Sequence, residues 1–134
     1  MAYMTLSNIS KVYGTTTAVE DFNLEVAKGE FVSFLGPSGC GKTTTLRMIA
    51  GFEMPTTGNI TLDNEDITYQ SPNQRNVGMV FQSYALFPNM NIGQNIAFGL
   101  QTRKMAEKDI KKKVDDMLEL VHLEEHINKY PYQL

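Results

Sequence analysis

The stretch Gly36-Pro37-Ser38-Gly39-Cys40-Gly41-Lys42-Thr43 constrains this chain more than any other, because it meets the pattern G-x-x-x-x-G-K-[ST] at every fixed position. That pattern has its chemistry only between a strand and a helix. The residues before it, Glu30 to Leu35, are apolar enough to predict a buried strand, and Thr44 to Ala50 read as a helix that stops at Gly51. Gly36, Gly39 and Gly41 allow positive φ and close approach, so successive N–H groups can turn inward around a polyphosphate. The helix that follows adds unpaired first-turn donors and a positive dipole end, which favour an anion by about 0.3 to 2 kcal/mol. Lys42 supplies the charge that no amide carries. Its ammonium is expected to reach the β- and γ-phosphates through charge-assisted hydrogen bonds worth about 1.5 to 3 kcal/mol each, and the Thr43 hydroxyl is placed to ligate Mg²⁺.

Composition narrows the partners. A length of 134 residues, 42% hydrophobic and 20% charged, fits one soluble domain able to bury a core. The net charge of −3, with no sustained basic stripe, argues against nucleic acid as a partner. The single Cys40 cannot form an internal disulfide; its place in the loop points to a reducing, intracellular compartment and to a small packed residue rather than a nucleophile. No apolar run approaches the roughly eighteen residues of a membrane span, so membrane association is expected to go through a partner.

Ahead of the loop, Tyr3 to Ile9 and Ala18 to Val26 read as two antiparallel strands joined through a polar turn at Thr15 to Thr17. Tyr13 lies where a ring could stack on a nucleotide base for about 1 to 3 kcal/mol, but the residues alone favour a half-buried strand-end tyrosine. After Gly51, a proline and glycine turn leads to a strand at Asn59 to Leu62 and to hairpin chemistry at Asp63-Asn64, so Asp63 is read as a turn residue rather than a metal-holding acid. A polar stretch to Asn76 precedes Val77 to Phe81, predicted as another buried strand that ends on Gln82.

Ligands of α/β sheets bind outside the carboxyl ends of strands, where the Gln82 amide could ligate Mg²⁺ and help orient water; the bland reading is an exposed glutamine that starts a loop. Ser83 to Pro88 carries more apolar and aromatic groups than a solvated loop tolerates, so it either closes over the core or forms a docking surface. Asn91 with Gln94 predicts a capping box opening a helix from Ile92 to about Leu100. Ile110, Val114, Met117, Leu118 and Val121 recur at helical spacing over 106–121, with the lysine run on a solvated face. His122 and His126 have no partners at metal-ligand spacing.

In this order and register, Tyr13, the loop Gly36 to Thr43, and Val80-Phe81-Gln82-Ser83-Tyr84-Ala85-Leu86-Phe87-Pro88 resemble the nucleotide-binding subunit of ATP-binding cassette transporters over essentially the whole chain. The segment from Val80 and Asn95 to Leu100 is most similar to bacterial importers of the polyamine, ferric-iron and maltose type. The resemblance implies an α/β fold, a partial P-loop NTPase core with an amino-terminal antiparallel β subdomain. It implies binding of ATP and Mg²⁺ by Tyr13, Val19 and the run Gly36, Pro37, Ser38, Gly39, Cys40, Gly41, Lys42, Thr43 and Thr44. Thr43 and Gln82 are then the metal ligands, and Lys42 and Gln82 the catalytic residues. The implied partners are membrane-spanning subunits docking near Gln82 to Asn91, a second copy of the subunit and, indirectly, a solute-binding protein outside the membrane. The implied location is peripheral, on the cytoplasmic face.

In that family a segment like Tyr130 to Leu134 runs into the signature Leu-Ser-Gly-Gly-Gln. Residues 1–134 are therefore expected to be the amino-terminal part of one nucleotide-binding domain, binding ATP weakly, with negligible turnover and a tendency to aggregate. The competing readings are a phosphate-loop kinase resembling the guanylate type and a non-catalytic ATP-binding module. The strand pair ahead of the loop counts against the kinase, which would start almost directly on the loop strand.

Overall fold

A computed structural model describes residues 1–83 and 85–134; Tyr84, part of the apolar loop read above, lies outside the described residues. The chain forms two compact units, Met1–Val80 and Phe81–Leu134.

The first unit is built on an antiparallel sheet. Strand β1 (Met4–Tyr13) pairs with β2 (Thr16–Val26) on one side and with β3 (Thr57–Leu62) on the other, and β3 carries the short β4 (Glu65–Asp66), giving the order β2-β1-β3-β4. The β3–β4 turn is Asp63-Asn64, both at positive φ (50° and 66°), so Asp63 is a hairpin residue as its turn chemistry predicted. Helix α1 (Lys42–Ala50) places Met48 against Leu6, Ile9, Val19, Ile60 and Ile67, and these six form the core of the unit. The polar Thr15 to Thr17 turn is tighter than expected: both strands run on until only two residues separate them.

Two expected strands are absent. Residues 31–37 and 77–81 have no regular structure, with Phe31 92%, Leu35 91% and Val80 98% exposed. Their apolar runs are suited to a sheet covered on both faces, but a strand exists only when its N–H and C=O groups pair with neighbours. Among the described residues, no strand lies beside either segment.

The end of α1 is organised by Arg75. Gly51 closes the helix at φ 95°, where an added Cβ would lie 2.7 Å from the Arg75 Nε. The guanidinium is 1% exposed and donates to the carbonyls of Met48 (2.6 Å), Ile49 (3.3 Å), Thr68 (2.9 Å) and Gln70 (2.9 Å). Carbonyls at a helix end lack intrahelical partners and carry its negative dipole end, so a cation fits there. Burial lowers the pKa of this guanidinium from its ordinary value.

Asp66 and Thr68 tie β4 back to β3. The Thr68 hydroxyl (2.5 Å) and the Thr68 N–H (2.9 Å) both donate to the Asp66 carboxylate, and Thr68 Oγ1 accepts from the Ile60 N–H at 2.9 Å. The hydroxyl first and the N–H second hold the Asp66 carboxyl below its ordinary value. A carboxyl lowered in the folded state contributes stability above its unfolded pKa of about 3.9 and loses it as pH falls through the lower folded value. Urea midpoints followed downward through pH 4 are therefore expected to fall less steeply in Asp66→Asn than in the parent. Since Asp66 is exposed, the difference is small; parallel curves would remove Asp66 from the acid response.

The second unit packs helix α2 (Ile92–Thr102) against α3 (Glu107–Leu120). The capping box is as predicted: the Asn91 side chain accepts from Gln94 N–H at 2.8 Å, and Gln94 returns to the Asn91 N–H at 2.9 Å. Ile92, Ala97, Ile110, Val114 and Leu118 form the seam. Met117 and Val121, expected on it, are 48% and 55% exposed, because a single facing helix covers a narrower stripe than the five apolar residues span. No helix among the described residues is long and apolar enough to cross a membrane.

Candidate functional site

The loop 36–41 leaves its unpaired approach segment and enters α1 at Lys42 without a side-chain cap. Gly41 takes the N-cap position at φ 94°, and a Cβ there would meet the Ala18 carbonyl oxygen at 2.6 Å and Val19 Cγ2 at 3.0 Å. Only glycine lets the loop pass this close to β2. The first helical bond to Gly41 comes from the Thr45 N–H (2.9 Å), and the Thr45 hydroxyl donates to the same oxygen at 2.8 Å. The N–H groups ahead of Thr45 are the ones that helix geometry leaves without an intrahelical acceptor.

Lys42 lies across the loop, its Nζ donating to the Gly36 carbonyl. The two ends of the glycine loop are thereby bridged by the one cation it contains. Ala18, Val19, Phe34, Cys40, Lys42 and Thr45 are among the residues lining a cavity of about 410 Å³ beside it. Thr43 is exposed and Thr44 half-buried on the first turn, while Gly36 to Cys40 are exposed. Cys40 is a free, exposed thiol rather than the packed residue expected, because the loop stands away from the core.

The structure thus gathers Val19, Cys40, Gly41 and Lys42 around one cavity. Val19, 8% exposed, belongs to the core as well and backs the loop from β2. Tyr13, at the end of β1, is 43% exposed and does not line this cavity. Gln82 falls in the second unit, exposed in the loop that precedes α2. Among the described residues, no cluster of three or more His, Cys, Asp or Glu side chains could hold a metal ion. Thr43, exposed on the first turn of α1, offers a hydroxyl oxygen that a divalent cation could take as a ligand.

Two cations at the far end of α1 carried no sequence signal. Arg75 sat in a stretch read only as polar, and its role depends on carbonyls up to 27 positions away. Lys11 lies two positions before Tyr13 on the same strand, and that alternation was the available clue.

Residues 19–134 match the sequence profile described as ABC transporter. The chain is 53% identical to the spermidine/putrescine import ATP-binding protein of Thermobifida fusca, over 98% of this chain and 35% of that protein. It is 51% identical to the sulfate/thiosulfate import ATP-binding protein of Thermosynechococcus vestitus, over 98% of this chain and 39% of that protein. It is 46% identical to the Fe(3+) ions import ATP-binding protein of Vibrio cholerae, over 98% of this chain and 38% of that protein. Among solved structures, the ATP-binding cassette MJ0796, a dimer in a post-hydrolysis state bound to ADP and Pi, is similar with a TM-score of 0.85 at 31% identity. The match covers 98% of this chain and 62% of that one. The chain therefore spans little more than a third of the length of these curated relatives.

Proposed function

This chain belongs to the ABC transporter family, and we propose that it supplies the phosphate-holding part of a subunit that couples ATP binding and hydrolysis to solute import. The observation that carries this reading is the loop itself: an uncapped helix N-terminus whose Gly41 is seated on β2, with the Lys42 ammonium drawn across the loop. Such a loop offers amide donors to the phosphates and one mobile cation to their most charged end, so Lys42 exchanges the Gly36 carbonyl for phosphate oxygen when ATP arrives. Thr43 is the residue of the first unit that would hold Mg²⁺, an ion that would neutralise phosphate charge there. Tyr13 takes the adenine base and Val19 backs the nucleotide.

The partners follow from the same reading. The second unit presents Leu86 (45%), Phe87 (43%) and Phe98 (41%) as exposed apolar groups, with the Phe87 and Phe98 rings 4.7 Å apart. We assign this face to docking on membrane-spanning subunits at the cytoplasmic side, with a second copy of the subunit completing the assembly. Relatives named for three different solutes match this segment at 46 to 53% identity, which supports assigning solute choice to other parts of the transporter.

The test is binding of a fluorescent ATP analogue, and then phosphate release, by the protein at its native length. Saturable binding competed by ATP but not by AMP is expected; a folded protein that leaves the analogue free overturns the reading. Docking has its own prediction. Asn95 staples the loop, its Oδ1 accepting from the Phe87 N–H (2.8 Å) and its Nδ2 donating to the carbonyls of Phe87, Met90 and Asn91 at 3.2, 3.1 and 3.0 Å. Replacing it by leucine removes all four bonds, each worth about 0.5 to 1.5 kcal/mol. Recovery of membrane subunits with Asn95→Leu is expected to fall by about tenfold or more while ATP affinity holds, and undiminished recovery would count against this face.

A further inference from the structure

We propose that Lys11 is a positioning residue for base recognition, holding the ring of Tyr13 in the frame of the helix that begins at the phosphate loop. The inference rests on the ATP-binding reading above and deepens it.

Tyr13 ends β1 at the hairpin, and with 43% of its surface exposed its ring would be free to take several rotamers. Lys11, two residues earlier, places its Nζ 5.1 Å from the ring centroid, within the range of cation–π attraction. That ammonium is itself fixed. It donates to the Met54 carbonyl at 2.7 Å and pairs with Glu53 Oε2 at 3.4 Å, with the Lys11 side chain only 16% exposed.

Glu53 and Met54 are in turn part of the end of α1. The N–H groups of Gly51, Phe52 and Glu53 all converge on the Arg47 carbonyl, at 2.9, 2.9 and 3.4 Å, so the chain stays wrapped on the helix as far as Glu53. The same connector is pinned to β1 by the Thr56 N–H on the Ser10 carbonyl (2.8 Å) and by the Val12 N–H on the Thr56 hydroxyl (2.9 Å). One ammonium thus links the aromatic ring to the far end of the helix whose near end holds the phosphates. The separation between base platform and phosphate loop is set by this chain of contacts rather than by the loop alone.

The consequence is energetic as well as geometric. A ring already held on one face loses less rotamer freedom when a base covers its other face, so more of the stacking attraction appears as affinity. Phosphate binding makes no use of the ring. Loss of Lys11 should weaken recognition of the base and leave recognition of the phosphate chain intact.

The experiment measures binding of MgATP and of inorganic tripolyphosphate with Mg²⁺ to the native-length protein, as wild type, Lys11→Met, Lys11→Arg, Tyr13→Ala and the Lys11→Met/Tyr13→Ala double variant. Lys11→Met is expected to weaken ATP by about tenfold and leave tripolyphosphate unchanged, with most of the affinity restored in Lys11→Arg. In the Tyr13→Ala background, Lys11→Met should add nothing. Equal loss for ATP and tripolyphosphate would make Lys11 a purely structural contact and overturn the proposal, as would unchanged ATP affinity or additive losses in the double variant. A wild-type protein that binds tripolyphosphate but not ATP overturns the ATP-binding reading, a result distinct from any failure confined to the Lys11 variants.

Discussion

Arg75→Met is expected to destabilise the first unit by about 3 to 5 kcal/mol. The substitution keeps much of the apolar stem and removes every donor. Four carbonyls that now accept from the guanidinium, those of Met48, Ile49, Thr68 and Gln70, face a methionine that offers them nothing, in a place water does not reach freely. Leaving one buried acceptor unpaired costs about 1 to 3 kcal/mol, and the two helix-end carbonyls also lose a cation that offsets their dipole. Since small domains are stable by only about 5 to 15 kcal/mol, the variant should lose a large share of its folded margin. Urea denaturation followed by circular dichroism measures this directly. Arg75→Lys, which keeps the charge but not the planar fork, should fall between the two. A shift below about 1 kcal/mol for Arg75→Met would mean that the carbonyls find other donors, and would remove Arg75 as the clamp of the helix end.

Lys42→Ala should show the opposite profile, with folding nearly untouched and nucleotide binding lost. Its ammonium holds only the Gly36 carbonyl in the absence of phosphate, and Gly36 is exposed, so water replaces the bond at little cost. Against a triphosphate, the same ammonium makes charge-assisted hydrogen bonds worth about 1.5 to 3 kcal/mol each. Losing two of them is a drop of about a hundredfold or more in ATP affinity. Equilibrium binding of the fluorescent analogue and a melting curve on the same sample separate the two effects. A variant that melts early would make Lys42 a folding residue, and one that binds ATP normally would remove it from the site.

These two residues also mark the limits of what the chain discloses before it folds. The place of Lys42 at the start of a helix behind a glycine loop was legible because its signal is local, and the helix stop at Gly51, the Asp63-Asn64 turn and the Asn91–Gln94 capping box were legible for the same reason. Arg75 was not. A lone arginine between Gln74 and Asn76 looks like surface polarity until Met48, Ile49 and Thr68 are seen to converge on it. Lys11 is similar, since its bonds to Glu53 and Met54 reach more than 40 positions along the chain.

The apolar segments show the converse error. Glu30 to Leu35 and Val77 to Phe81 have the composition of buried strands, yet they form no strand and are largely exposed. Composition states which segments can be buried, whereas pairing depends on a neighbour that composition does not name. Helix α3 carries the same lesson on a smaller scale, with Ile110, Val114 and Leu118 buried and Met117 and Val121 left outside the seam.

By itself, then, the sequence determined what can be written in a few consecutive residues: the phosphate loop and its helix, the turns, the helix caps and, through the motifs taken together, the family. The tertiary structure decided which apolar segments pair, which lone cation is buried, and which ammonium joins the Tyr13 ring to the connector after α1. The division follows from the range of the forces. Backbone sterics, capping and helix dipoles act within one or two turns of chain, while ladder pairing and burial depend on residues that only folding brings together.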